Sequence, residues 1–390
     1  MKKSLQAILL CIIFTAAFVA YSNHFNNAFH FDDSHTIVQN EYIRELNIPL
    51  FFKDARTFSS LPANQSYRPG LTTLNALDVF LSGSGVPTPY TFHLSIFFFF
   101  LCSGFLLYLL ILYILSQHTD SKWNYILALF SCAWFLLHTA NAETINYIIA
   151  RSDSFSTLMV LLSFVVYLYI PASRRMHLYL IPMIIGFTVK EHTIMFVPVL
   201  FIYQFLFEQK SSFHLWKERK NVGIVFRKIA LPLVTGIGLF IFSKVMTPHT
   251  WVSGGEDRWS YLFTQFFVYF HYVYNFILPV NLVVDTDWKL VPSLVDDKVF
   301  AGLLFVISLG YIAFKTSLQE RYKGIAFGIC WFFIALIPTS SIFPFAEVLN
   351  DHRTFFPYIG LFIAVATLLQ NLVLSPSFKN YKPASPVFYI

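Results

Sequence analysis

The sequence predicts an all-α polytopic membrane protein, and three observations carry that reading. Of its 390 residues, 12% are charged and 56% hydrophobic, whereas soluble globular chains carry about 25% charged residues. Phenylalanine alone occurs 46 times, an excess that suits lipid-facing and interfacial helix surfaces. The apolar residues fall in long runs, and the basic residues sit in short stretches between them, as membrane helices and their loops require. That arrangement removes nucleic acid as a partner, although the net charge is +6. Cys11, Cys102, Cys132 and Cys330 all lie inside apolar runs without CxxC spacing, so neither disulfides nor a zinc site is expected.

The first apolar run, 5–21, follows Lys2 and Lys3. It reads as a retained anchor; the alternative is a secretory signal, since Thr15-Ala16-Ala17 loosely resembles a cleavage site. Either way the positive start stays inside and Asp32 and Asp33 emerge outside. A long polar outer loop follows, 22–90, with amphipathic pieces at 48–52 and 71–80 expected along the membrane surface. Further spans are expected at 92–115, 125–137, 155–170, 178–189, 193–207 and 229–245. The loop holding Lys210, Lys217, Arg219, Lys220, Arg227 and Lys228 fixes the cytoplasmic side. Runs at 299–314, 324–337 and 355–374 bring the total to about ten spans.

One run breaks the alternation. Residues 261–278 lie between a span heading outward and one heading inward, so they must begin and end on the outer side. We read them as a re-entrant or protein-buried helix, because Gln265, His271 and Asn275 need protein or water partners rather than lipid. Residues 1–376 form a single membrane domain, and 377–390 a short cytoplasmic tail.

The charges then divide by side. Cytoplasmic loops hold mostly isolated Lys and Arg. The outer side collects mixed clusters: Asp32 with Asp33, Arg68, Glu143 with Arg151 and Asp153, Lys190-Glu191-His192, Glu256-Asp257-Arg258, Asp285 and Asp287, and Asp351-His352-Arg353. Adjacent carboxylates repel each other and are costly near lipid, so Asp32 and Asp33 form either a solvated turn or a site for a cation or a proton. Ion pairs at helix ends are the plain structural reading of each cluster. Their joint placement on one face predicts a polar cavity open to the outside. Carboxylates there offer a general base or a cation ligand, and Arg or Lys a phosphate clamp. GxxxxGK[ST], GxGxxG and HExxH are absent, and no Ser-His-Asp order stands out. ATP-driven transport and metalloprotease chemistry lose support accordingly. Transfer from a lipid phosphate to a hydroxyl fits the set.

The order of motifs is similar to a known family. It runs Phe31-Asp32-Asp33, Ser66-Tyr67-Arg68-Pro69, Leu71-Thr72-Thr73-Leu74 and Phe92-His93-Leu94. It continues with His138, Glu143, Tyr147-Ile148, Arg151-Ser152-Asp153, Lys190-Glu191, Thr264-Gln265 and Leu278-Pro279-Val280-Asn281-Leu282 with Asp285. It ends with Ile337-Pro338, Phe343-Pro344, Asp351-His352-Arg353 and Phe356-Pro357. This series, across nearly the whole chain, resembles the membrane half of the transmembrane-and-tetratricopeptide protein O-mannosyltransferases and their bacterial relatives. The family's closing motif is usually Glu-Arg where this chain has Asp351-His352-Arg353, and its frequent helical repeat domain has no counterpart before Ile390.

The resemblance implies a GT-C glycosyltransferase fold taking a sugar, such as mannose, from a polyprenyl-phosphate carrier. The site would face the periplasm or the lumen of the endoplasmic reticulum. The acceptor would be a hydroxyl of a protein Ser or Thr, or of a glycolipid or surface glycan. Asp32 or Asp33 would be the base, accepting the acceptor proton with inversion at the anomeric carbon. Arg353 and Lys190, with His352 and Arg151 in reserve, would stabilise the departing phosphate. Arg68, Glu143, Asp153, Glu191, Gln265, Asp285 and Asp351 would complete the polar cavity. No cofactor is expected, and no divalent cation, because two adjacent Asp residues supply few of the oxygens a hard cation takes. Residues 34–39 read as a short helix capped by Asp33 or Ser34, leaving Asp32 as the base. The alternatives are a transporter or flippase of a lipid-linked sugar, and a non-catalytic assembly subunit.

Overall fold

The computed structural model describes residues 2–375 apart from 215, 252–253, 256, 281, 283–285 and 342. The expected cytoplasmic tail, Glu256 and Asp285 lie outside the described residues. Among the described residues the chain is helical, with no strand. Thirteen helices have eight or more residues: α1 Lys3–Ala20, α2 Pro69–Ser82, α3 Pro89–Ser116, α4 Lys122–Leu137, α5 Arg151–Tyr169, α6 Leu180–Phe187, α7 Phe196–Tyr203, α8 Arg219–Lys228, α9 Ala230–Met246, α10 Arg258–Ile277, α11 Asp297–Ser317, α12 Lys323–Leu336 and α13 Phe355–Val373.

Among the described residues five helical stretches are long and apolar enough to cross a membrane: Lys3–Ala20, Pro89–Ser116, Ile148–Tyr169, Asp297–Ser317 and Asp351–Val373. Two bent pairs raise the number to seven, α4 with Thr139–Asn146 at 50° and α8 with α9 at 59°. These helices suit a lipid bilayer and mark the chain as a membrane protein. The remaining expected spans are helical but short. α6 has eight residues, or about 12 Å, against a hydrocarbon core of about 30 Å, whereas α7 follows a 3-10 turn at Glu191–Met195 and runs on through a π-turn at Gln204–Glu208. The Lys190-Glu191-His192 turn separates them, because its charged groups bind across the bundle instead of continuing a helix. The basic loop contains α8, bent by 59° from α9. The piece at 71–80 belongs to α2, which buries Leu71, Thr72, Asn75, Ala76, Asp78 and Val79 against the protein and leaves Leu77, Phe80 and Leu81 exposed.

The core is apolar and aromatic. α12 and α13 pack with Gly328 and Gly360 face to face; a Cβ on Gly328 would lie 2.2 Å from the Gly360 carbonyl. Only glycine permits that approach, the usual device where helices associate without water.

α10 accounts for the run that broke the alternation. Asp257 caps it, accepting from the Trp259 and Ser260 amides at 3.2 Å each. It then buries Tyr261, Thr264, Gln265, Val268, Tyr272 and Asn275, one stripe at helical spacing. The helix is unbroken, and the amide nitrogens of its buried polar residues have protein partners: Gln265 Nε2 donates to the Val348 carbonyl at 3.0 Å and Asn275 Nδ2 meets His271 Nε2 at 3.0 Å. A return segment runs back along it. Trp288 stacks on Phe267 at 5.3 Å and the Val291 amide donates to Thr264 Oγ1 at 2.8 Å. α11 then runs parallel to α10, with Gly302 against the Phe266 backbone and Phe305 against Phe270 at 5.3 Å. α10 and α11 are thus parallel helices joined by a return segment, with α10 itself a continuous helix of 20 residues.

Candidate functional site

The charged residues gather where the ends of α1, α4 and α6 meet the starts of α2, α5 and α13. The loop after α1 turns sharply at Phe31, a non-glycine residue at φ 47°, a backbone region costly for bulky residues. Its ring meets Tyr147 edge-on at 5.9 Å, and the Tyr147 hydroxyl accepts from the Asp32 amide at 3.2 Å. The turn sends the two carboxylates to opposite fates.

Asp33 is wholly buried. Oδ2 accepts from the His30 amide at 2.9 Å and Oδ1 from the Ile149 amide at 2.9 Å. It therefore ties the outer loop to the segment entering α5. The expectation that Asp33 or Ser34 caps the following helix is corrected here. Residues Ser34–Val38 form one π-turn without a side-chain cap, because the Asp33 carboxylate is already occupied behind and across the turn. Burial pushes the Asp33 carboxyl up to about 6.

Asp32 is open, its side chain 61% exposed. His35 Nε2 lies 3.3 Å from Oδ1, and His35 Nδ1 meets Ser59 Oγ at 3.0 Å. The His35 hydrogen bond holds the Asp32 carboxyl below its usual range against partial desolvation, helped by Tyr147 and His352. Asp32 is thus ionised at neutral pH and reachable.

His352 is the next member. Glu143 receives its amide at 3.0 Å on Oε2 and its Nδ1 at 2.7 Å on Oε1. That double contact fixes the ring within electrostatic reach of both Asp32 and Asp153. Asp153, in the first turn of α5, takes Lys190 Nζ on both oxygens, at 2.7 and 2.6 Å. Arg68 pairs with Glu191 at 3.0 Å and sits 5.7 Å over the Phe58 ring. Asp32, Glu143, Asp153, Lys190, Glu191, Arg68 and His352 therefore form one connected polar surface.

The other proposed residues lie elsewhere. Arg151 is wholly buried behind this surface, bonded to Asp78 at 2.6 Å, Asn75 at 3.1 Å and Ser95 at 3.0 Å. Phe92 and Phe99 close over it at 5.4 and 6.0 Å. It knots α2, α3 and α5 together and has no surface for a phosphate, which removes it from the reserve clamp. Arg353 binds Glu347 Oε2 at 3.0 Å and the Glu347 carbonyl at 3.1 Å, with Phe345 at 5.0 Å. Together with buried Asp351 and Gln265 it borders the 339–350 segment beside α10.

Sequence reading missed His35 and Asp78, and named Tyr147 and His192 without giving either a role. His35 was signalled by its i+3 spacing from Asp32, and Asp78 by a carboxylate within an apolar helix. His192 stacks on Phe356 at 5.4 Å, meets Ser156 Oγ at 2.7 Å and stands 3.7 Å from Asp153. The trio has serine–histidine–aspartate order, but Ser156 is wholly buried and its hydroxyl also faces the Ser152 carbonyl. It is a packing contact, not a nucleophile. Among the described residues no group of three or more His, Cys, Asp or Glu is arranged to hold a metal ion. Comparison of the chain with protein-family models, with curated protein sequences and with solved structures finds no match.

Proposed function

We propose that this chain is an inverting membrane glycosyltransferase with a GT-C-like arrangement of about ten spans. It moves a hexose such as mannose from a polyprenyl phosphate to a hydroxyl of a protein or glycan outside the cytoplasm. The single observation carrying this reading is the grouping of an open, ionised Asp32 with the basic side chains of His352, Lys190 and Arg68. The chemistry follows from it. The acceptor oxygen attacks the anomeric carbon while its proton passes to an Asp32 oxygen. The bond from that carbon to the phosphate oxygen breaks, and the lipid phosphate leaves with the electron pair. Lys190, Arg68 and His352 stabilise the phosphate, each exchanging part of its contact with Asp153, Glu191 or Glu143 for it. Arg353, engaged with Glu347, supports the neighbouring wall. For the count of spans, α6 acts as a half-length piece that brings Lys190 into the bundle, as broken helices do where they line a polar cavity.

The test uses the purified chain in lipid nanodiscs with a polyprenyl-phosphate hexose and a hydroxyl acceptor. Transfer by the wild type and its loss in Asp32→Asn support the reading. A wild type without transfer, or Asp32→Asn at full rate, would sink it.

A further inference from the structure

A second site lies away from Asp32. Between α10, the return segment and the start of α11 is a cavity of about 250 Å³, lined by Thr264, Phe267, Asp287, Trp288, Lys289 and Lys298. None of the residues around Asp32 lines it. Its two halves differ in chemistry. One wall is aromatic: Trp288 stacks on Phe267 at 5.3 Å with 20° between the rings, and meets His271 at 5.0 Å. The other half is a rim of exposed charges, Asp287, Lys289 and Lys298, with the Lys298 ammonium 6.0 Å from the Phe267 ring. The wall is fixed in place, because buried Thr264 receives the Val291 amide and pins the return segment to α10.

We infer that this cavity is a carbohydrate subsite that takes one pyranose ring. The ligand must offer an apolar face to the indole and several hydroxyls to the rim. A pyranose has both, with its axial C–H bonds on one face and its equatorial hydroxyls around the edge. An acyl chain would leave three charges unanswered, and a bare anion would meet Asp287. The volume is below the range of about 300–1,000 Å³ that holds larger ligands, so it suits a single ring. The binding claim stands without the transferase reading. Assigning the ring to the acceptor, which would then be a glycan, rests on that reading.

The experiment is saturation-transfer NMR on the full chain in nanodiscs, with millimolar methyl α-D-mannopyranoside or methyl β-D-glucopyranoside as probe and glycerol as control. Saturation of ring protons of at least one glycoside, but not of glycerol, is expected. Trp288→Ala should weaken binding about tenfold, and Trp288→Phe should restore much of it. Asp287→Asn, a change at an exposed position that spares the packing, should weaken it severalfold and decides the matter if Trp288→Ala fails to fold. Asp32→Asn should bind like the wild type whether or not transfer activity exists. No saturation in the wild type, or equal saturation in Trp288→Ala and Asp287→Asn, overturns the subsite. Loss in Asp32→Asn overturns it too, because the ring would then sit at the other site.

Discussion

Two clusters of charge lie within a few residues of each other along α5 and differ in almost every physical respect. Around Arg151 the ion pair with Asp78 is sealed, with Asn75 and Ser95 taking further donors and aromatic rings closing above. Around Asp153 the pair with Lys190 is largely buried too, but Lys190 keeps 16% of its side chain exposed and Asp153 couples through His352 to an exposed Asp32. A sealed pair has exchanged its water for fixed partners and can bind nothing else. A pair at an open surface can trade a partner for a ligand. Charge at a helix end is therefore a poor guide to function unless its burial is known. The same lesson separates Asp32 from Asp33, neighbours in sequence with opposite exposure.

The largest expected effect breaks the comparison at its open end. Asp32→Asn keeps shape and removes proton acceptance, so transfer should fall by roughly 10²–10⁴-fold with thermal stability unchanged. Near-normal transfer would mean that exposure and ionisation do not identify the base.

The sealed end should respond in stability instead. Arg151→Met strands the buried Asp78 carboxylate and should cost about 3–5 kcal/mol, read as a lower unfolding temperature in nanodiscs. Arg151→Met with Asp78→Leu should recover much of that loss. A single variant as stable as the wild type would show that the pair is not sealed.

How far these differences were legible follows from the same physics. The α10 stripe was readable, since Tyr261, Thr264, Gln265, Val268 and Tyr272 repeat at helical spacing whatever surrounds them. So was the acid pair after the first apolar run. What failed was anything set by a partner distant in sequence. Arg151 looked available because nothing near it reveals that Asp78 folds against it. Asp33 looked like a cap because its real donors include Ile149, far along the chain. The break at 190–192 was readable, but not that α6 before it keeps only eight helical residues, because Lys190 and Glu191 bind Asp153 and Arg68, both far away in the sequence.

Asp33 sharpens the comparison through pH. Its folded carboxyl titrates near 6, above the ordinary value of about 4. The stability it contributes is therefore fully present below about pH 4 and lost as pH rises through about 6. Asp33→Asn should flatten that part of the stability profile between pH 4 and 7. It should also cost about 1–3 kcal/mol from a lost hydrogen bond, because two backbone amides donate to Asp33 and an Asn side chain accepts only on its oxygen. An unchanged slope in thermal unfolding would remove Asp33 as the titrating tie.

The smallest effect belongs to His35, and it tests how Asp32 is tuned rather than whether it acts. His35 is the main reason the Asp32 carboxyl lies below its ordinary range, and it is itself held by Ser59 through its other ring nitrogen. In His35→Ala the carboxylate loses that hydrogen bond and its pKa rises. Less of it is ionised in mildly acidic solution, so the acid limb of the transfer rate should move to higher pH. At neutral pH the group stays ionised and becomes a slightly stronger proton acceptor, so the rate there should change little. A shift of the acid limb toward lower pH would contradict the assignment of Asp32 as the titrating base. So would an identical shift in His35→Ala made together with Asp32→Asn, where no Asp32 carboxyl remains to titrate.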